Sequence, residues 1–73
     1  MKNIKKILQD AQKDNEPVFV IRAKDKFSTN AIYTYIGKCI DHCDLSHTRE
    51  IIHIAGEFMI WQMEHPDKVK IPD

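Results

Sequence analysis

Glu16-Pro17-Val18-Phe19-Val20-Ile21-Arg22-Ala23-Lys24-Asp25-Lys26 joins a short run of strand formers to a charged cluster. A residue before proline is pushed out of the helical region, so Glu16 begins an extended segment. Val18 to Ile21 is β-branched and aromatic, with both faces apolar, which suits a strand covered on both sides. The pattern predicts one strand over 17–22 in a chain that otherwise reads as helix. A single strand leaves its backbone N–H and C=O groups without partners. The simplest partner is the same strand of a second copy.

On either side of this segment the apolar spacing is helical. Ile4, Ile7, Leu8 and Ala11 predict an amphipathic helix over 2–13, broken by Asp14-Asn15-Glu16-Pro17. A second helix is expected over 28–43. Ser28 is its N-cap, Phe27 and Ile32 form a hydrophobic staple, and Ile32, Ile36, Cys39, Ile40 and Cys43 make its apolar stripe. Asp44-Leu45-Ser46 is a short connection to a third helix over 47–65, capped by Asp44 or Ser46. A short link between long helices implies an antiparallel hairpin. His65-Pro66-Asp67 stops the last helix, leaving 66–73 as an extended tail. The expected fold is mainly α (α+β): an N-terminal helix, one strand paired between protomers, and a helical hairpin.

The third helix has an unusually wide apolar arc. Glu50, His53, Glu57 and Glu64 form one narrow polar stripe, while Ile51, Ile52, Ile54, Ala55, Phe58, Met59, Trp61 and Met63 spread over more than half the circumference. One hairpin partner covers only part of that arc. Gln62 sits near its middle. An unpaired buried amide costs roughly 1–3 kcal/mol, so Gln62 needs a partner. Backbone is the favoured partner, and a ligand is the alternative. Gly37 and Gly56 both fall inside helices, at a cost of about 1 kcal/mol each relative to alanine. They sit at similar heights on facing helices, where they allow close approach or leave a concavity, close approach being the commoner reason.

Seventy-three residues make a single domain, 1–73, with too little core to be robust alone. Self-association is the expected stabiliser, because the two cysteines lie four apart on one helix, where a bridge is poorly accommodated. The charged N-terminus lacks the apolar run of a secretory signal, and no stretch is apolar enough to span a bilayer. The expected location is the cytoplasm, with reduced thiols. Net charge is zero, so nonspecific nucleic-acid binding is not expected. The charge is uneven: residues 1–26 carry seven Lys/Arg against four Asp/Glu, and 27–73 carry four against seven.

Cys39, His42, Cys43 and His47 raise the question of a metal. Zinc needs four converging ligands, yet His42 points away from the Cys39–Cys43 stripe and the spacing follows no standard zinc pattern. Buried structural cysteines and surface histidines are the expectation, with no metal and no cofactor. No nucleophile triad, phosphate loop or paired-carboxylate motif is present, so the chain is not expected to be an enzyme. The best candidate site is Arg22, Lys24, Asp25 and Lys26, ahead of a helix N-terminus that suits an anion. Alternation along an extended chain puts Arg22 and Lys24 on one side. Arginine takes a phosphate or carboxylate bidentately, and Asp25 can steady a cation or accept from a ribose or base. Tyr33 and Trp61 offer aromatic faces, and Gln62 an amide. The plain alternative is a solvated turn with an ion pair worth about 0–1 kcal/mol.

The Glu16–Lys26 block, Trp61-Gln62 and His65-Pro66-Asp67-Lys68-Val69-Lys70-Ile71-Pro72-Asp73 together resemble small proteins encoded in bacteriophages and prophages. The resemblance covers most of the chain after residue 15. It implies Arg22, Asp25, Trp61 and Pro72-Asp73 as motif positions and carries no catalytic role. It also implies a binding protein, since small phage proteins often act as decoys or as sponges for nucleotide immune signals. The leading expectation is a homo-oligomeric counter-defence protein that sequesters a phosphate-bearing nucleotide, such as a cyclic nucleotide or an ADP-ribose derivative. Its rivals are an inhibitor of a host defence protein, acting through Glu50, Glu57 and Glu64 with Asp41 and Asp44, and a structural or regulatory module without a ligand.

Overall fold

The computed structural model describes residues 3–72, so Met1, Lys2 and Asp73 lie outside it, together with the ends of the expected first helix and tail. It contains three helices: α1 (Ile4–Lys13), α2 (Ser28–His42) and α3 (Leu45–Glu64). The chain is mainly helical, and α2 and α3 pack as the expected hairpin. Among the described residues this is the one helix–helix packing. No helix is long and apolar enough to cross a membrane.

Each helix boundary has a local cause. Asn3 caps α1 by accepting from the Lys6 N–H at 3.2 Å. The other end closes through two backbone bonds, Asn15 N–H to Gln12 C=O and Glu16 N–H to Ala11 C=O, with Asn15 at φ 54°. That is a Schellman ending, and asparagine is one of the few residues that takes its left-handed position at low cost. Asp44 caps α3 by accepting from the His47 N–H at 2.8 Å. The helix therefore starts at Leu45, earlier than the spacing suggested.

Ser28 is not the cap of α2. It is the first helical residue, fully buried, and Phe27 takes the cap position while staying exposed. Asp25 does the capping work instead: its Oδ1 accepts from the Phe27 N–H at 2.8 Å and its C=O from the Ser28 N–H at 3.0 Å. The other end of α2 also differs from expectation. Cys43 has left the helix with extended backbone, and its side chain is exposed, whereas Cys39 one turn earlier is 2% exposed.

The strand expected over 17–22 does not form within the chain; these residues are extended but join no ladder. Val18, Phe19 and Val20 are exposed rather than covered, Phe19 at 85%. The reason is the one that made the segment conspicuous: a lone strand finds no second strand in its own sequence. Pairing occurs a few residues later. Lys26 N–H donates to Lys70 C=O at 2.8 Å and Lys70 N–H to Lys24 C=O at 3.0 Å, a parallel bridge centred on Asp25 and Lys70. The tail thus folds back beside the segment that leads into α2.

The core is small. Ala11, Ile36, Cys39 and Ala55 are the buried apolar side chains among the described residues. Ile40, which was expected on the buried stripe of α2, is exposed, and the α3 arc leaves Ile52, Met59, Ile60 and Met63 exposed, as an arc too wide for one partner must. Neither glycine serves a close approach. A Cβ added at Gly37 or Gly56 would meet nothing within 4 Å.

Candidate functional site

The segment 22–24, the last turn of α3 and the tail 67–70 enclose a cleft of about 720 Å³. Its walls are Arg22, Ala23 and Lys24 on one side, Trp61 on another, and Asp67, Lys68 and Lys70 on the third. Each wall has a sequence-level cause. Arg22 and Lys24 flank a turn closed by the Asp25 N–H on the Arg22 C=O at 3.0 Å, and Lys68 and Lys70 follow a second turn closed by the Lys68 N–H on the His65 C=O at 3.0 Å. The Lys24–Lys26 bridge to Lys70 brings the two basic pairs into one place. Among the described residues that line it, four are cationic and one is a carboxylate, an excess of positive charge.

Trp61 provides the flat wall. His65 stacks on one of its faces with ring centroids 4.4 Å apart and planes 25° from parallel. The His65 Nδ1 lies 2.9 Å from the Trp61 carbonyl, where a protonated Nδ1 donates to it. The indole is thereby fixed in orientation while it lines the cleft. Cleft volume falls within the range of about 300–1,000 Å³ that suits small molecules.

The seven residues singled out from the sequence do not share one site. Arg22, Lys24 and Trp61 meet in the main cleft. A smaller neighbouring cavity of about 200 Å³ adds Asp25 beside Arg22, Lys24 and Lys70, with Val20 and Pro72. Lys26, Tyr33 and Gln62 line a separate depression near Met59 and Met63. There the Tyr33 hydroxyl points to the Met59 sulfur at 2.6 Å.

Gln62 has a defined structural role. Its Nε2 donates to the Ala23 carbonyl at 2.9 Å, to Ser28 Oγ at 3.1 Å and more weakly to the Asp25 carbonyl at 3.4 Å. One side chain thus holds the whole 23–28 segment against α3. The backbone partner expected for this amide is present. At the start of α2, Asp25 receives the Phe27 and Ser28 N–H groups. The basic side chains gather in the cleft by Trp61 rather than at the helix end.

Lys68 and Lys70 were not singled out as site residues. The Lys68-Val69-Lys70 alternation carried the signal, but only the fold-back of the tail gives it meaning. Elsewhere, Cys39, Cys43 and His47 place their ligand atoms within 4.8 Å of one another, and His42 stays outside the group. Burial, and next the neighbouring Cys43, hold the Cys39 thiol above its usual range, and the nearby Cys39 does the same first to the Tyr35 phenol.

No protein-family model, curated protein or solved structure matches this chain.

Proposed function

We propose that this chain is a small counter-defence protein, of the kind phages encode, that binds and sequesters a phosphate-bearing nucleotide in the Trp61 cleft. One observation carries the reading: Arg22, Lys24, Lys68 and Lys70 line the same cleft as an oriented indole. Cations to meet phosphate and an aromatic face to stack a base are the two elements that nucleotide capture requires. Asp67 in the cleft and Asp25 in the adjoining one offer carboxylate oxygens that ribose hydroxyls could donate to. The role is binding rather than catalysis, since the cleft gathers no nucleophile with a base. The working form is a homo-oligomer, joined by pairing of the exposed 18–21 segments between copies, which would cover Val18, Phe19 and Val20.

The test is a thermal-shift screen against cyclic di- and trinucleotides, cyclic ADP-ribose isomers, other ADP-ribose conjugates and plain nucleotides. A ligand at 100 times its dissociation constant adds about 2.7 kcal/mol, a rise on the order of 10 °C or more in so small a domain. The double substitution Arg22→Ala, Lys24→Ala should abolish the shift and leave the unliganded Tm unchanged. Retention of full binding in that variant refutes the phosphate contact. A second reading, inhibition of a host defence protein, is favoured by one feature: Ile4, Ile7 and Leu8 of α1 are exposed on an otherwise charged helix. It predicts no shift across the panel and capture of one stoichiometric partner, lost on charge reversal at Glu50, Glu57 and Glu64.

A further inference from the structure

The closed end of the hairpin holds a second cluster, remote in the chain from the Trp61 cleft. Cys39 lies in the last turns of α2, Cys43 is the residue that ends it, and His47 lies in the first turn of α3. Their two sulfurs and one ring nitrogen all lie within 4.8 Å of one another. Both thiols are free. We propose that Cys39, Cys43 and His47 form a zinc site that clamps the α2–α3 turn.

Three features support a built site rather than chance proximity. The first is donor chemistry. Two thiolates and an imidazole are the donors that select a soft-to-borderline, tetrahedral cation, and zinc is the common one. Ligands on a tetrahedral zinc with bonds of about 2.3 Å to sulfur are roughly 3.8 Å apart. The observed spacing needs only small side-chain adjustments to reach that value. The second is backbone fixation. Cys43 N–H donates to the Cys39 C=O at 2.9 Å, and the His47 N–H to Asp44 Oδ1 at 2.8 Å. Thr48, buried one residue on, bonds through its hydroxyl to the Asp44 C=O at 3.0 Å and reaches the Cys39 C=O at 3.4 Å. The three donors therefore sit on backbone already tied across the turn. Tyr35 packs edge-on to the His47 ring, centroids 6.4 Å apart, and limits its rotation.

The third feature is access. Cys39 is buried beneath the group, while Cys43 and His47 line an open cavity of about 440 Å³ together with Asp44, Ser46 and Glu50. A metal bound by the three donors would direct its fourth position towards this cavity, where water or the Glu50 carboxylate completes the tetrahedron. Binding forms two Zn–S bonds and one Zn–N bond, and the two thiol protons pass to solvent.

Cobalt(II) is the spectroscopic probe, added to protein that has been stripped with chelator and kept reduced with a non-coordinating phosphine. The proposal expects one Co²⁺ per chain, with thiolate-to-cobalt charge-transfer absorption and the intense visible bands of tetrahedral geometry, displaced by one equivalent of Zn²⁺. Cys43→Ser and His47→Ala should each weaken binding by 10-fold or more, and Zn²⁺ should raise the Tm of the parent but not of Cys43→Ser. Because Cys43 is exposed, its substitution leaves the core intact and circular dichroism will verify folding. His42→Ala should bind like the parent. Absence of the charge-transfer band in folded, reduced protein overturns the proposal, as does binding that survives both Cys43→Ser and His47→Ala.

Discussion

Replacing Gln62 by leucine separates two roles that this amide could have. Leucine keeps the volume and apolar stem but donates nothing, so the Ala23 carbonyl and Ser28 Oγ lose donors at 2.9 and 3.1 Å, and the Asp25 carbonyl loses a weaker one at 3.4 Å. A net contribution of about 0.5–1.5 kcal/mol per sound bond gives a loss of roughly 1–3 kcal/mol. The site is only partly buried at Gln62, which favours the middle of that range, whereas Ser28 is fully buried and cannot recruit water easily. A loss of about 2 kcal/mol lowers Tm by roughly 8–16 °C in a chain of this size. Thermal and urea denaturation followed by circular dichroism reads the change, with ligand affinity measured alongside. Gln62→Glu should be worse at neutral pH, because a carboxylate would face two carbonyls and a hydroxyl oxygen. Burial raises the folded-state pKa of the introduced carboxyl, so this extra penalty is present above that pKa and fades as pH falls toward about 4.3, where the group regains a proton to donate. A Gln62→Leu variant as stable as the parent would refute the clamp. If it also lost ligand binding, the amide would belong to the ligand instead.

Three further outcomes are expected. Gly37→Ala and Gly56→Ala should each stabilise the chain by about 0.5–1 kcal/mol in urea titrations, since the added Cβ meets open space and the helix loses a flexible residue; destabilisation would mean that another copy packs there. Asn15→Val should cost about 1–2 kcal/mol by the same measurement, because a β-branched side chain resists φ 54°, whereas Asn15→Gly should be neutral or better. Phe19→Asp with Val20→Lys should convert an oligomer to monomer in light scattering without loss of helical circular dichroism, and an unchanged mass would eliminate 18–21 as the seam.

What could be read from the residues depended on how local its cause was. The α2–α3 hairpin follows from two helical periodicities and a short link; the hairpin is present, with Cys43 and Asp44 as the link. The over-wide arc of α3 was legible because residue spacing fixes angular position, and Gln62 in its middle announced a buried polar bond. The strand was misjudged because strand formation is a pairing event, and its partner is not encoded within the segment. Ser28 was misassigned as a cap because Asp25, three residues earlier, receives the Phe27 and Ser28 N–H groups and the helix begins at Ser28 itself. Two groupings were beyond sequence reasoning altogether. Lys68 and Lys70 join Arg22 and Lys24 only through a contact between distant parts of the chain. Cys43 meets His47 because the helix ends one residue sooner than its apolar stripe suggested.

The Lys70 bridge to Lys24 and Lys26 joins two segments far apart in the chain through a pair of backbone bonds. The bridge ties the tail to the segment before α2, whereas the helical hairpin is held by its own α2–α3 packing. If the proposed function holds, ligand binding and overall folding are separable properties, since one wall of the cleft is the tail itself. Trimming by a carboxypeptidase or added residues at that end would leave the helical signal intact and remove binding. Recombinant protein used for ligand screening should therefore carry any affinity tag ahead of α1, and a negative result from a tail-tagged preparation has no bearing on the cleft.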